Sequence, residues 1–206
     1  MAEIIEAAGA TRVITCDSHN AAIQGYFDIN CDRLTGEYIL ENYFLEKDIE
    51  DMVIIATDAG SAKKAYKYSK FFNCPIALVD KRRDANNDKA ISTTIIGDVK
   101  DKNAIIFDDE ISTGGTLMET VNILAKSGAK NIYAAATHGI LVGEAIERIE
   151  KSPIKELVVT NTVPVPEEKR IDKLTVLSIA PTFAEAIKRI HEERPLGELF
   201  RNDLND

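Results

Sequence analysis

Apolar positions along the chain fall into two rhythms. Short, nearly unbroken runs rich in Val, Ile and Ala occupy residues 12–16, 52–56, 76–79, 93–96, 104–107, 131–136, 156–159 and 174–179. Runs of that length predict strands, and the continuous ones predict strands buried on both faces. Between them, apolar residues recur every three or four positions over 37–46, 62–72, 116–127, 143–150 and 182–192, which predicts helices with one buried stripe. The helix from Thr116 carries Leu117, Val121 and Leu124 on that stripe, and Gly128 just beyond it suits a left-handed cap. Pro181 stands where a helix can begin, since the N–H it lacks would be unpaired there anyway. Alternating strands and helices predict an α/β fold, a parallel sheet flanked by helices. Residues 194–206 read as a polar tail with one apolar pair, Leu199–Phe200.

Composition narrows the class. With 206 residues, 45% of them apolar, the chain has material for one large domain or two small ones around a packed core. The 34 acidic side chains outnumber the 25 basic ones, for a net charge of −9. That excess argues against nucleic acid or an anionic membrane as a bulk partner, yet leaves room for a local basic pocket. The apolar runs are strand-sized, too short to span a bilayer. The acidic N-terminus (Glu3, Glu6) lacks the basic residues of a secretory signal. Cys16, Cys31 and Cys74 are odd in number and widely spaced, so they imply neither a disulfide framework nor a thiolate metal site. A reducing cytoplasm is the expected setting.

Candidate chemistry collects where strands end, as ligand sites do in parallel α/β sheets. Residues 52–56 lead into Thr57-Asp58-Ala59-Gly60, and residues 76–79 into Asp80-Lys81-Arg82-Arg83. Residues 104–107 lead into Asp108-Asp109, and residues 12–16 into Asp17-Ser18-His19. Each could cap a helix or sit in a solvated loop, but four such ends agreeing point to a site. The most specific block is Asp108-Asp109-Glu110-Ile111-Ser112-Thr113-Gly114-Gly115-Thr116. Glycines let backbone N–H groups approach an anion, and the helix that follows adds its partial positive charge. Residues 112–116 therefore suit a phosphate, while the preceding acids suit sugar hydroxyls. A phosphorylated sugar satisfies both halves, whereas a nucleotide P-loop would need Gly-Lys-Ser/Thr, which is absent.

This block resembles the signature of phosphoribosyl-binding proteins of the type I phosphoribosyltransferase fold. With Asp17-Ser18-His19, Gln24-Gly25-Tyr26-Phe27-Asp28, Asp58-Ala59-Gly60, Lys81-Arg82-Arg83, Thr137-His138-Gly139 and Thr160-Asn161-Thr162 in order, the chain resembles the ribose-phosphate pyrophosphokinases up to Phe200. The resemblance implies transfer of pyrophosphate from MgATP to the C1 hydroxyl of ribose 5-phosphate, giving phosphoribosyl pyrophosphate and AMP. It implies that Ser112, Thr113, Gly114, Gly115 and Thr116 hold the 5-phosphate and Asp108 the ribose hydroxyls, with Asp109 assisting. Lys81 and Arg83 match the catalytic loop, Arg83 also reaching the sugar phosphate. His19 and Asp58 match positions that bind Mg²⁺ or the ATP phosphates, His19 and Lys81 serving ATP. Asp17 is a further metal candidate, and Asp28 and Asp32 are weaker ones. His138 is expected to be a hydrogen-bonded structural residue.

Two departures stand out: Ser112 replaces an Asp found in many relatives, and the family carries a further α/β domain ahead of this region. The expected division is therefore residues 1–34 as the end of that domain, 35–200 as the sugar-phosphate domain, and 201–206 as a tail. On this expectation the strand 12–16 lacks partners in the chain, and Ile4, Ile5, Val13, Ile14 and Leu199–Phe200 are exposed or packed on another chain. The family implies homo-oligomers. Two other readings stay open: a non-catalytic assembly or regulatory partner that resembles the synthetase, and a phosphoribosyltransferase consuming phosphoribosyl pyrophosphate.

Overall fold

In the computed structural model, residues 1–83 and 90–200 are described, with side chains for 1–80, 94–197 and 199. Seven strands make the main sheet: β3 (Met52–Ala56), β4 (Ile76–Arg83), β5 (Ala90–Ile96), β6 (Asn103–Ile111), β7 (Asn131–Gly139), β8 (Ile154–Thr160) and β9 (Leu174–Leu177). Their order across the sheet is β5-β4-β3-β6-β7-β8-β9. All neighbours run parallel except β4 and β5. Strand periodicity divides the core between two faces. Val53 and Ile55, Ala104 and Ile106, and Ala134 and Ala136 point to one face, where Leu117, Val121 and Leu124 of α4 (Gly115–Lys126) and Ile149 of α5 (Ala145–Lys151) cover them. Ile54, Ile105, Phe107 and Tyr133 point to the other, beneath Leu40 and Phe44 of α2 (Glu37–Glu46) and Tyr68 of α3 (Ala62–Phe71). On that face Tyr68 stacks on Phe107 with ring centroids 3.9 Å apart, and Phe44 meets Phe107 edge-on at 5.6 Å. The helix α6 (Ala180–His191) follows β9, with Pro181 in its first turn as the sequence predicts.

The mostly parallel sheet flanked by helices agrees with the sequence, and four local differences have physical reasons. The run at 93–96 belongs to an antiparallel partner of β4, because the short connection from Arg83 to Ala90 has no room for a crossover helix. β4 continues through Asp80-Lys81-Arg82-Arg83, and β6 through Asp108 to Ile111, so these charged residues lie within strands rather than after them. A strand absent from the prediction, β2 (Asn30–Leu34), is Asn-Cys-Asp-Arg-Leu and carries no apolar run. It pairs in parallel with β1 (Arg12–Cys16) as a separate two-stranded sheet, so 12–16 does find a partner within the chain. Arg12 Nε donates to Asp32 Oδ2 across that pair at 2.6 Å.

The helix α1 (Ala2–Ala7) precedes β1, and Ile4 is 68% exposed while Ile5, Val13, Ile14 and Leu199 are half-buried. The Phe200 side chain and the tail 201–206 lie outside the described residues. Met1, Ile23, Tyr26 and Phe27 line an apolar groove of about 530 Å³ beside α1. The N-terminal arm is tied to the main sheet at Asp17. Its buried Oδ2 accepts from the Gly36 N–H at 2.8 Å and the Thr137 hydroxyl at 2.6 Å. All three cysteines are free and half-buried, and burial pushes the Cys16 thiol up to about 12 and Cys74 to about 11, as suits inert fillers.

Candidate functional site

The direction of sheet growth reverses between β3 and β6. From β3 the chain crosses through α3 to β4 on one side; from β6 it crosses through α4 to β7 on the other. The diverging connections leave a crevice at the carboxyl ends of β3 and β6, the usual ligand position in such sheets. Two strand-to-helix turns border it: 57–61 after β3 and 112–114 after β6.

The second turn is a cradle. Gly114 sits at φ 73°, ψ 3°, a left-handed conformation that costs a residue with a Cβ about 1–2 kcal/mol. It is the N-cap of α4 and no side chain caps the helix there, so the first-turn N–H groups face the crevice without an internal acceptor. Asp108, Ser112, Thr113, Gly114, Gly115 and Thr116 together line a groove of about 250 Å³. The loop after β7 braces it: the Leu141 N–H donates to Ile111 O at 3.0 Å, and the Val142 N–H to Ser112 O at 3.1 Å. From α5, Arg148 Nη1 donates to Thr113 O at 3.3 Å while Nη2 pairs with Glu144 at 2.8 Å.

The two acids before the cradle differ. Asp108 opens to the groove, and its Oδ1 accepts from the Asp109 N–H at 2.7 Å. Desolvation by the crevice walls raises its pKa; that amide and Lys64 oppose the rise, and Asp109 and Asp58 add to it. Asp109 Oδ1 is instead engaged by the ammonium of Lys64, in the first turn of α3. Its Oδ2 lies 3.7 Å from His19 Nδ1, so the N-terminal arm reaches this side of the crevice.

The first turn closes on itself. Asp58 Oδ1 accepts from the Ser61 N–H at 2.8 Å, and Ser61 Oγ returns a bond to Asp58 O at 2.9 Å. The carboxylate is exposed on the crevice side, and its Oδ2 takes part in none of these bonds. Asp17, by contrast, is buried at φ 39°, and its Oδ2 is engaged by Gly36 and Thr137, which gives it a structural duty tying the arm to the main sheet. Asp32 is committed to Arg12, and Asp28 lies against α1, its N–H donating to Glu6. Among the described residues no cluster of three or more His, Cys, Asp or Glu side chains is arranged around one point. Of the sequence candidates, the Asp58, His19 and Asp28 side chains are exposed, and Mg²⁺ takes few protein ligands beside phosphate and water oxygens. Lys81 and Arg83 fall on β4, in register with Thr93 and Ala90 of β5, and their side chains lie outside the described residues. His138 is structural, its Nδ1 2.8 Å from Thr162 Oγ1 and its Nε2 3.2 Å from Asp17 O. Sequence reasoning missed Lys64 and Arg148, which lie within amphipathic helix patterns and carry no motif of their own.

Comparison with known proteins agrees with this geometry. The sequence profile of the phosphoribosyl synthetase-associated domain matches residues 84–201. A ribose-phosphate pyrophosphokinase of Caldanaerobacter subterraneus is 51% identical over 201 residues, covering 97% of this chain and 63% of that protein. One of Clostridium acetobutylicum is 46% identical over 205 residues, covering 98% and 64%. The crystal structure of phosphoribosylpyrophosphate synthetase from Mycobacterium smegmatis superposes with a TM-score of 0.84 at 39% identity, over 93% of this chain and 62% of that one. The chain thus spans somewhat under two thirds of the length of these relatives.

Proposed function

The chain belongs to the phosphoribosyl synthetase-associated domain family, and from that premise we propose that it binds ribose 5-phosphate and MgATP and transfers pyrophosphate between them. The observation that carries the reading is the uncapped α4 N-terminus behind left-handed Gly114, with Asp108 and Asp109 on the strand leading into it. The amides of 113–116 and the hydroxyls of Ser112, Thr113 and Thr116 take the 5-phosphate, and the helix dipole adds to its binding. Asp108 accepts hydrogen bonds from the ribose hydroxyls and so turns C1 toward the turn at 57–61. Mg²⁺ held by Asp58 and His19 with phosphate oxygens would neutralise charge on the transferred group. The C1 hydroxyl attacks the β-phosphorus, its proton leaves to solvent or a neighbouring base, and the bond to the α-phosphate oxygen breaks to release AMP. Lys81 and Arg83 supply cations to the developing negative charge, which is how phosphoryl transfer is mainly catalysed.

The separate β1–β2 sheet supports a division near residue 34, with 35–200 as the sugar-phosphate domain and self-association through the arm. Among the described residues no helix is long and apolar enough to cross a membrane. The test is AMP release from MgATP that depends on ribose 5-phosphate, with calorimetry of each substrate alongside. Turnover supports the full proposal. Sugar-phosphate binding without turnover reduces it to a binding partner, and pyrophosphate release with a nucleobase acceptor replaces it with phosphoribosyl transfer.

A further inference from the structure

Adjacent carboxylates repel, so a chain that keeps two side by side gains from a cation placed on one of them. Asp108 and Asp109 are such a pair, and the chain treats them differently. Among the described residues Asp108 meets only a backbone amide, while Asp109 is gripped by Lys64 on one oxygen and faces His19 with the other. The Lys64 side chain is only 26% exposed, so its contact with Asp109 is less screened than a surface pair. Three separate stretches meet at this point: β6 through Asp109, α3 through Lys64, and the N-terminal arm through His19.

We infer that Lys64 is a positioning residue for the sugar-phosphate site, holding one oxygen of Asp109 so that the other faces His19 and fixes the arm against the crevice. The inference rests on the functional reading above, because the consequence it assigns to the clasp concerns ribose 5-phosphate. With Asp109 held by Lys64, the Asp108 carboxylate is left to accept hydrogen bonds from sugar hydroxyls. Holding Asp109 still keeps the strand from shifting when the neighbouring cradle fills. The position favours Lys as a compact charge on a flexible stem, and Arg should replace it in part, since its fork also reaches a single carboxylate oxygen.

Two readouts on the whole chain test this, one of them without any ligand. The three histidines, His19, His138 and His191, are followed by nitrogen-15 NMR in the wild type and in Lys64→Met, Lys64→Arg and Asp109→Asn. Lys64→Met and Asp109→Asn should both move the His19 ring signals and leave His138 and His191 in place. Calorimetry with ribose 5-phosphate should then show binding about tenfold weaker for Lys64→Met and within about threefold of wild type for Lys64→Arg, with unchanged melting temperatures. A stationary His19 signal overturns the clasp. A moved His19 with unchanged sugar-phosphate affinity overturns the positioning role. A wild-type chain that binds no ribose 5-phosphate defeats the functional reading instead, and the histidine signals then decide the clasp alone.

Discussion

Two strand-to-helix turns border the crevice, and they differ in what each presents to it. Each helix begins with N–H groups that lack partners in the preceding turn. After β3, Asp58 and Ser61 exchange bonds within the turn itself, which fixes the loop ahead of α3 although no side chain caps that helix. After β6, left-handed Gly114 turns the chain sharply and no side chain fills the vacancy. The closed turn presents a carboxylate and suits a cation; the open one presents amides and suits an anion. A site built from one of each can hold a metal-bound phosphate chain on one side and a sugar phosphate on the other.

The largest expected effect breaks the open turn. Gly114→Val forces a branched side chain into a left-handed conformation, misaligns the amides, and should weaken ribose 5-phosphate binding by more than about 100-fold. Calorimetry checks it, and binding within threefold of wild type would refute the cradle. Next in size is a buried acidic group on α2. Glu41 of α2 is fully buried, neither of its oxygens has a hydrogen-bond partner among the described residues, and the hydroxyl of buried Tyr68 is likewise unpartnered. Burial raises Glu41 from an ordinary 4.5 to about 7; Lys67 opposes the rise and Glu37 adds to it. The folded chain therefore holds this proton more tightly than the unfolded one. Its stabilising contribution is complete below about pH 4.5 and is lost as pH climbs through 7, with a ceiling of roughly 3 kcal/mol. Melting curves from pH 4 to 9 should show Glu41→Gln gaining on wild type between about pH 4.5 and 7 and holding that gain above it; a constant difference across the whole range would show that Glu41 is not titrating there.

Smaller effects separate the two sides. Asp108→Asn keeps shape and removes charge, so it should weaken sugar-phosphate binding roughly tenfold while leaving Mg²⁺-nucleotide binding nearly unchanged. Equal losses for both ligands would argue against assigning Asp108 to the sugar. Asp58→Ala removes the acceptor of the Ser61 N–H, should cost about 1 kcal/mol in stability as the loss of one such hydrogen bond does, and should weaken nucleotide more than sugar phosphate. A selective loss of sugar-phosphate binding would invert the comparison.

The residues behind this contrast were unevenly legible. The open turn was readable because its chemistry is written in consecutive residues, from Asp108 to Thr116. So were the central strands, whose unbroken Val/Ile/Ala runs admit few other structures. The ends of β4 and β6 were not, because apolar pattern stops at Val79 and Phe107 while backbone pairing carries the charged residues onward. β2 escaped because an Asn-Cys-Asp-Arg-Leu strand is held by ladder bonds and one ion pair, which leave no hydrophobic period. Lys64 and Arg148 escaped for a different reason. A cation on an amphipathic helix looks the same in sequence whether it meets solvent, as most do, or a group from another element, as Lys64 meets Asp109 and Arg148 meets the Thr113 carbonyl. Asp17 shows the converse, an acid whose place beside His19 suggested a metal but whose burial assigns it to Gly36 and Thr137.

The overrun of β6 past β3 also sets a dimension. The last register pair between them is Ile55 with Ile106, yet β6 continues to Ile111. Five further residues at about 3.3 Å each extend it by roughly 16 Å as a shelf paired with β7 on one side only. The ledge has an upright at each end, the α4 amides at its tip and the Asp58 turn at its root. Its length works as a gauge: a ledge of that reach matches the span that the proposed function requires of a five-carbon sugar carrying a phosphate at one end and receiving a pyrophosphate at the other.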